Sequence, residues 1–312
     1  MTIKENIELA GLTSLRVGGP ARYFTSVKNE RDARLALSWA KKQGVPYFVL
    51  GGGTNVVMSD NGYHGLVITT NNSGIEFTED DCGTIMKVMA GTPLQDVVDA
   101  SLEQGLAGLE WAAGVPGQVG GAVRGNAGAF GGETRNVIES VDAVMPNGKV
   151  QSFSNADCHF AYRSSIFKEE SGSIILSVVF RFMPGNKAAL TQKAEELRAW
   201  RRERHPLDYP NCGSVFKRIG VENIRIGLWN RYPDMKQAVR DNQVATAYFI
   251  DKCDLKNFNI GGAEVSGKHP NFIINRTGNA RAEHIVMVAS HMRTRVREKF
   301  GIILEEEPEF VF

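Results

Sequence analysis

Residues 109–133 read LEWAAGVPGQVGGAVRGNAGAFGGE, and Gly114, Gly117, Gly120, Gly121, Gly125, Gly128, Gly131 and Gly132 leave no room there for a long regular element. Such a stretch is mostly tight backbone. A loop of small residues whose N–H groups face outward is one physical solution to binding phosphate, because glycine allows close approach and a concave, anion-facing main chain. A second loop of this kind, GGGTN at Gly51–Asn55, follows the short apolar run PYFVL. Neither is the G-x-G-x-x-G of a dinucleotide fold, and G-x-x-x-x-G-K-[ST] is absent from the chain. Two separated glycine loops, each beside a strand, point to a long ligand such as a dinucleotide held from two sides at its pyrophosphate. The plain alternative is that the glycines only connect crowded strands.

Working outward, NERDARLALSWAKKQG places Ala33, Leu37 and Ala40 on one stripe, with Asn29 as cap and Gly44 as stop, so a helix is expected ahead of the strand that opens into GGGTN. A second helix is expected after Thr92 as cap and Pro93 as first helical residue, carrying Leu94, Val97, Val98 and Leu102 and ending at Gly105. VIESVDAVMPNGKVQSF reads as a hairpin turning at Pro146, Asn147 and Gly148, and SIILSVVFRFMP as a further strand. Residues 187 to 204 return to helix. HPLDYP then reads as an extended linker and a boundary to a C-terminal domain. That domain finishes with a helix whose Ile285, Val288, Met292, Val296 and Phe300 form an apolar stripe.

Composition narrows the function. The chain has 312 residues, enough for two or three domains, and its 36 basic against 35 acidic side chains lack the excess that backbone binding of nucleic acid requires. Cys82, Cys158, Cys212 and Cys253 are widely spaced, form no CxxC pair, and are expected as reduced thiols without a metal. No apolar run approaches the ~20 residues of a membrane span. The start MTIKENIELAGLTSL lacks the order of a signal peptide, so a cytoplasmic protein is expected.

Three segments carry polar residues in unusual settings: FAYRSSIFK, YPNCGSVFKR and GIILEEEPEF. Taken singly, each has a bland reading, Arg163 as a surface ion pair, Ser214 as a turn residue and Glu305–Glu307 as a solvated acidic end. Together they form a chemical set. A guanidinium clamps a carboxylate, a hydroxyl delivers a proton, and a carboxylate orients or protonates a developing enolate. His269, His284 and His291 read as surface or loop residues outside the site.

The segments SLRVGGPARYF, GGGTNVV, AGVPGQVGGAVRGNAGA, YRSS, NCGSVFKR, GGAEVSGKHPNFIIN and EKFGIILEEE, in this order from about Leu15 to Glu307, resemble the UDP-N-acetylenolpyruvoylglucosamine reductase family. The resemblance implies an α+β architecture. An FAD-binding fold of the vanillyl-alcohol-oxidase / p-cresol-methylhydroxylase type would fill two subdomains, residues 1–70 and 71–200, ahead of a C-terminal α+β substrate-binding domain at 201–312. FAD would contact Gly51, Gly52, Gly53, Thr54 and Asn55 in the first loop. In the second it would contact Ala113, Gly114, Val115, Pro116, Gly117, Gly120 and Gly121, then Asn126, Ala127, Gly128 and Ala129.

By the same carry-over, Arg163 steadies the intermediate and Ser214 donates the proton. The third catalytic residue falls on Glu307, with Glu309 a second candidate because LEEEPEF departs from the usual LEPEV-like ending. Tyr162, Lys217, Arg218 and Glu264 would meet the substrate, Arg218 standing where asparagine is common. About fifty residues separate Arg163 from Ser214, too few for an inserted tyrosine-bearing loop, which implies the shorter type of the family. The implied activity is NADPH-dependent reduction of UDP-N-acetylglucosamine enolpyruvate to UDP-N-acetylmuramate in peptidoglycan synthesis. NADPH and the sugar nucleotide would be the small-molecule partners of a monomer. An FAD-dependent sugar or alcohol oxidase and a non-catalytic nucleotide-binding protein are the rival readings.

Overall fold

In the computed structural model, which describes residues 1–312, the first expected helix runs Glu30–Gln43. Asn29 Oδ1 accepts from the Asp32 N–H at 2.9 Å, and Gly44 closes the helix in the left-handed region at φ 64°. Ala33, Ala36, Leu37 and Ala40 are buried. The helix links strand Pro20–Val27 to strand Tyr47–Leu50, and both pair in parallel with Tyr63–Thr70 between them, Phe24 and Phe48 each opposite Val67. No tight turn can join parallel neighbours, so the crossover helix is a requirement of this topology. Leu66, Val67 and Ile68 are all fully buried, as a strand covered on both faces must be. The first glycine loop begins where Tyr47–Leu50 ends.

A second, antiparallel sheet runs in the order Val150–Ser154, Ile138–Val144, Ile174–Pro184, Gly83–Met89, Ile75–Asp80. Its hairpin turns where expected, with Gly148 at φ 79° and its N–H on the Met145 carbonyl at 2.8 Å. Along the long central strand Val178, Phe180 and Phe182 are buried. Arg181 points the other way and binds Asp80 at 2.8 Å and Glu139 at 2.5 Å. The buried side chains meet helix Leu94–Glu103 and the short helix Val119–Arg124. One local expectation fails here. Thr92 does not cap Leu94–Glu103; its hydroxyl accepts from the Gly74 N–H at 3.1 Å and is spent on the neighbouring loop, and Pro93 stands just before the helix rather than inside it.

These sheets belong to one unit, Met1–Ile7, Ala21–Gly52 and Tyr63–Glu203; Glu8–Pro20, Gly53–Gly62 and Arg204–Phe312 form another. In the second unit an antiparallel sheet, Asn211–Ser214, Phe272–Asn275, Ala263–Val265, Asn259–Ile260, packs with helix Ala282–Phe300. The stripe Ile285, Val288, Met292, Val296 and Phe300 is buried in its core. Full burial of each such side chain is worth about 1.5–3 kcal/mol. Asp60 takes the helix's first N–H groups, Ala282 at 2.8 Å and Glu283 at 3.1 Å, which ties the 53–62 segment to this unit. The C-terminal strand Glu309–Val311 pairs in parallel with Val56–Met58. No helix is long and apolar enough to cross a membrane.

Candidate active site

In the first unit Gly52, of the first glycine loop, and Gly117, of the second, meet through bare backbone. A Cβ placed on Gly52 would stand 3.1 Å from the Gly117 Cα, whereas one on Gly121 would meet nothing within 4 Å. Gly52 and Gly121 are exposed, and none of the Gly52, Gly53 or Thr54 N–H groups donates to a backbone carbonyl. The rear of the second loop is occupied instead. Gly114, at φ 78°, lies where a Cβ would press on the Arg201 side chain at 3.0 Å. Arg201 Nε donates to the Ala113 carbonyl at 3.0 Å. Burial pulls this guanidinium down to about 10, and its donors go to main-chain carbonyls rather than to a carboxylate.

At the far end of the same loop, Asn126 is buried and fully engaged by protein groups, Glu133, Ala161 and the Arg135 N–H. Gly128 is required where it stands, since a Cβ there would fall 2.8 Å from both Glu133 Cγ and the Gly132 carbonyl. The Gly128 carbonyl accepts from Arg163 Nη2 at 2.8 Å, and the Arg163 guanidinium lies over the Tyr162 ring at 5.0 Å. Arg163 sits at φ 56° in a turn closed by Ala161 and Ser164. Buried Ser165 fixes the next residue position by donating to the Arg124 carbonyl at 2.8 Å. The YRSS segment is therefore a tight turn stitched to the glycine loop.

The second unit holds Ser214 and Glu307. Gly213 at φ 83° breaks the strand Asn211–Ser214, so its pairing with Phe272–Asn275 shifts register. Asn271 bridges the gap with its carboxamide, accepting from the Phe216 N–H at 3.1 Å and donating to the Phe216 carbonyl at 2.8 Å, as a strand partner would. On the other side the Glu307 N–H bonds to the Val215 carbonyl at 2.9 Å and the Lys217 N–H to the Glu305 carbonyl at 2.9 Å. The acidic run is thus an extended segment beside Val215–Lys217, and it is divided by alternation. Glu306 turns to Arg293 of the long helix, and Glu305 pairs with Lys217 at 3.3 Å. The Glu307 carboxylate is near enough to buried Cys212 to add to the desolvation that pushes this thiol up to about 12.

The Glu307 carbonyl accepts from Asn55 Nδ2 at 3.2 Å, and the Glu309 N–H bonds to the Asn55 carbonyl at 3.0 Å. Arg218 Nη1 reaches the Arg240 carbonyl at 3.4 Å. Glu264 is buried and bound to Arg276 at 2.5 Å. His269 packs against His205 and Phe272, and desolvation lowers it to about 4, which keeps it neutral.

Comparison with known proteins adds the family. Residues 21–154 match the model of an FAD binding domain, and residues 205–311 match that of the UDP-N-acetylenolpyruvoylglucosamine reductase C-terminal domain. A UDP-N-acetylenolpyruvoylglucosamine reductase of Lactobacillus delbrueckii subsp. bulgaricus is 34% identical over 316 residues, covering 100% of this chain and 96% of the relative. The chain belongs to the UDP-N-acetylenolpyruvoylglucosamine reductase family. The reductase of Caldicellulosiruptor bescii is 37% identical over 305 residues, 97% of this chain and 88% of the relative. The crystal structure of the reductase from Thermus caldophilus superposes with a TM-score of 0.76 at 28% identity, covering 100% of both chains.

For a member of the reductase family the glycine loops have a ready use. The features that fit FAD are bare backbone where Gly52 meets Gly117 and open space before Gly121, since a pyrophosphate needs close approach of the main chain. Arg201, Ser165 and Asn271 are the supporting residues that motif reading missed. Each acts through main-chain groups of a distant segment, and only the glycine packed on Arg201 left any trace of this in the sequence.

Proposed function

We propose that this chain reduces UDP-N-acetylglucosamine enolpyruvate to UDP-N-acetylmuramate with NADPH, as the reductase of peptidoglycan synthesis. The reading rests on family membership over the full length and on one local observation, the ladder that sets Glu307 one residue from Ser214. The chemistry supplied by bound FAD is hydride transfer, accepted from NADPH and given to the vinylic carbon. Arg163, anchored on the Gly128 carbonyl, steadies the substrate carboxylate as charge accumulates on it. Ser214 Oγ delivers the proton to the carbon beside that carboxylate. A hydroxyl suffices as acid because a carbanion-like centre is a strong base.

Glu307 completes the set in preference to Glu309. Its N–H is bonded beside Ser214, whereas Glu309 lies in the strand that pairs with Val56–Met58. Lys217 and Arg218 supply positive charge for the diphosphate, Tyr162 lines the same substrate, and Glu264 acts through Arg276. Residues 1–70 and 71–200 serve the cofactor and 201–312 the sugar nucleotide. Three buried free thiols suit a reducing compartment and support a cytoplasmic enzyme; on this reading it works as a monomer on small molecules, without nucleic acid. The deciding experiment is NADPH oxidation by the purified yellow protein with and without the enolpyruvyl substrate. Strict dependence on that substrate is expected. Turnover sustained by oxygen alone, or a colourless protein, would overturn the reading.

A further inference from the structure

The Arg163 turn is held by more than its own backbone. Asn126 is completely buried and adopts φ 40°, a left-handed conformation that asparagine tolerates better than other side-chain-bearing residues. Its Nδ2 donates to Glu133 Oε2 at 3.0 Å and to the Ala161 carbonyl at 2.9 Å, and its Oδ1 accepts from the Arg135 N–H at 3.1 Å. Both amide hydrogens are thereby used. Ala161 and Ser164 exchange N–H···O bonds at 3.0 and 3.1 Å around the turn that carries Arg163, itself at φ 56°. Arg163 Nη2 then returns to the Gly128 carbonyl, two residues beyond Asn126. The four links close a ring: Asn126 side chain, Ala161 backbone, Arg163 side chain, Gly128 backbone.

We infer that Asn126 is a positioning residue that sets the Arg163 guanidinium, through the closed ring with Ala161 and Gly128, and that its carboxamide serves this ring rather than the cofactor. The inference rests on the role given to Arg163 above. A left-handed arginine persists only where its surroundings over-determine it; here Lys168, which donates to the Arg163 carbonyl at 3.0 Å, and Ser165 hold the turn's backbone, while the buried Asn126 amide ties it to the loop on which the guanidinium ends. With that amide gone, the Ala161 carbonyl keeps its Ser164 partner, so the turn can survive while the aim of Arg163 is lost.

The test uses the FAD-loaded enzyme and measures the two half-reactions separately, flavin reduction by NADPH and reoxidation by UDP-N-acetylglucosamine enolpyruvate, together with FAD affinity. Asn126→Gly keeps the backbone conformation accessible. It is expected to leave FAD affinity and the reductive half-reaction within about threefold of the parent while slowing reoxidation by about 100-fold, the scale of an ångström misplacement of a catalytic group. Arg163→Ala added to Asn126→Gly is expected to cost less than about fivefold more, far short of its effect alone, because coupled residues are not additive.

If Arg163→Ala alone leaves reoxidation unchanged, the role of Arg163 fails, whatever Asn126 does. If Arg163→Ala slows reoxidation but Asn126→Gly does not, or the two losses multiply, the positioning role is overturned. Asn126→Asp keeps the acceptor for the Arg135 N–H and loses both donors, and it carries the same expected split should the glycine variant not fold. Loss of FAD by both variants would assign Asn126 to the cofactor loop and overturn the inference.

Discussion

Arg163 and Ser214 are held in place by different means. In the first unit, Arg163 stands on a left-handed turn fixed by buried side chains, Asn126 and Ser165, that reach across to main-chain carbonyls. In the second, Ser214 leads into a strand segment bonded on both edges, to Glu305–Glu307 on one side and to Asn271 on the other. The difference is between aim and register. A guanidinium on a long stem needs its end anchored, because its rotamer freedom is large. A serine hydroxyl is one bond from Cβ, so fixing the backbone fixes the group.

The largest effect that sharpens this contrast is expected from Ser214→Ala. Removing the hydroxyl leaves the ladder intact, so flavin reduction by NADPH should stay near the parental rate while reoxidation by the enolpyruvyl substrate slows by about 10²–10⁴-fold. Stopped-flow absorbance of the flavin reads both steps, and an equal loss in the two would remove Ser214 from its role. Next in size is Asn271→Ala, which leaves the Phe216 N–H and carbonyl without their partner in a buried strand. Urea denaturation should show about 2–4 kcal/mol of lost stability, two unsatisfied groups' worth. A loss under about 0.5 kcal/mol would show that the ladder on the Glu305–Glu307 side holds Ser214 without it.

The smallest effect belongs to His269, which packs beside this strand system. Its folded-state value is lowered to about 4 by desolvation, against 6.5 for the free side chain. Between those values the unfolded chain binds the proton and the folded one does not, so stability rises with pH across this window. Lowering the pH from 7 to 4 should cost about 1–2 kcal/mol of stability, after discounting for partial exposure. His269→Gln should flatten that slope in urea titrations at several pH values; an unchanged slope would assign it to other groups.

Legibility followed the range of the interaction. Asn29 and Gly44 bound their helix as expected because capping depends on residues three or four apart. The stripe from Ile285 to Phe300 was readable for the same reason. Thr92 shows the limit: it is a good cap by type, yet its hydroxyl meets Gly74, eighteen residues away, first. The acidic run at the C-terminus was open to a solvated reading because its sequence holds no sign of the Val215–Lys217 segment that pairs with it, and that pairing gives its three carboxylates different surroundings.

By itself, the sequence determined the two glycine loops, the helix Glu30–Gln43 with both its ends, the apolar stripe of the last helix, the hairpin at Gly148, and, through the ordered motifs, the family. These rest on neighbours along the chain, where conformational preference and periodicity act directly. Tertiary structure alone decided that Asp60 caps a helix 222 residues away, that Asn271 stands in as a strand partner for Phe216, and that Asn126 closes on the turn of Arg163. A buried amide or carboxylate must find a partner, but which partner it finds depends on how distant segments are brought together, and no local rule contains that information.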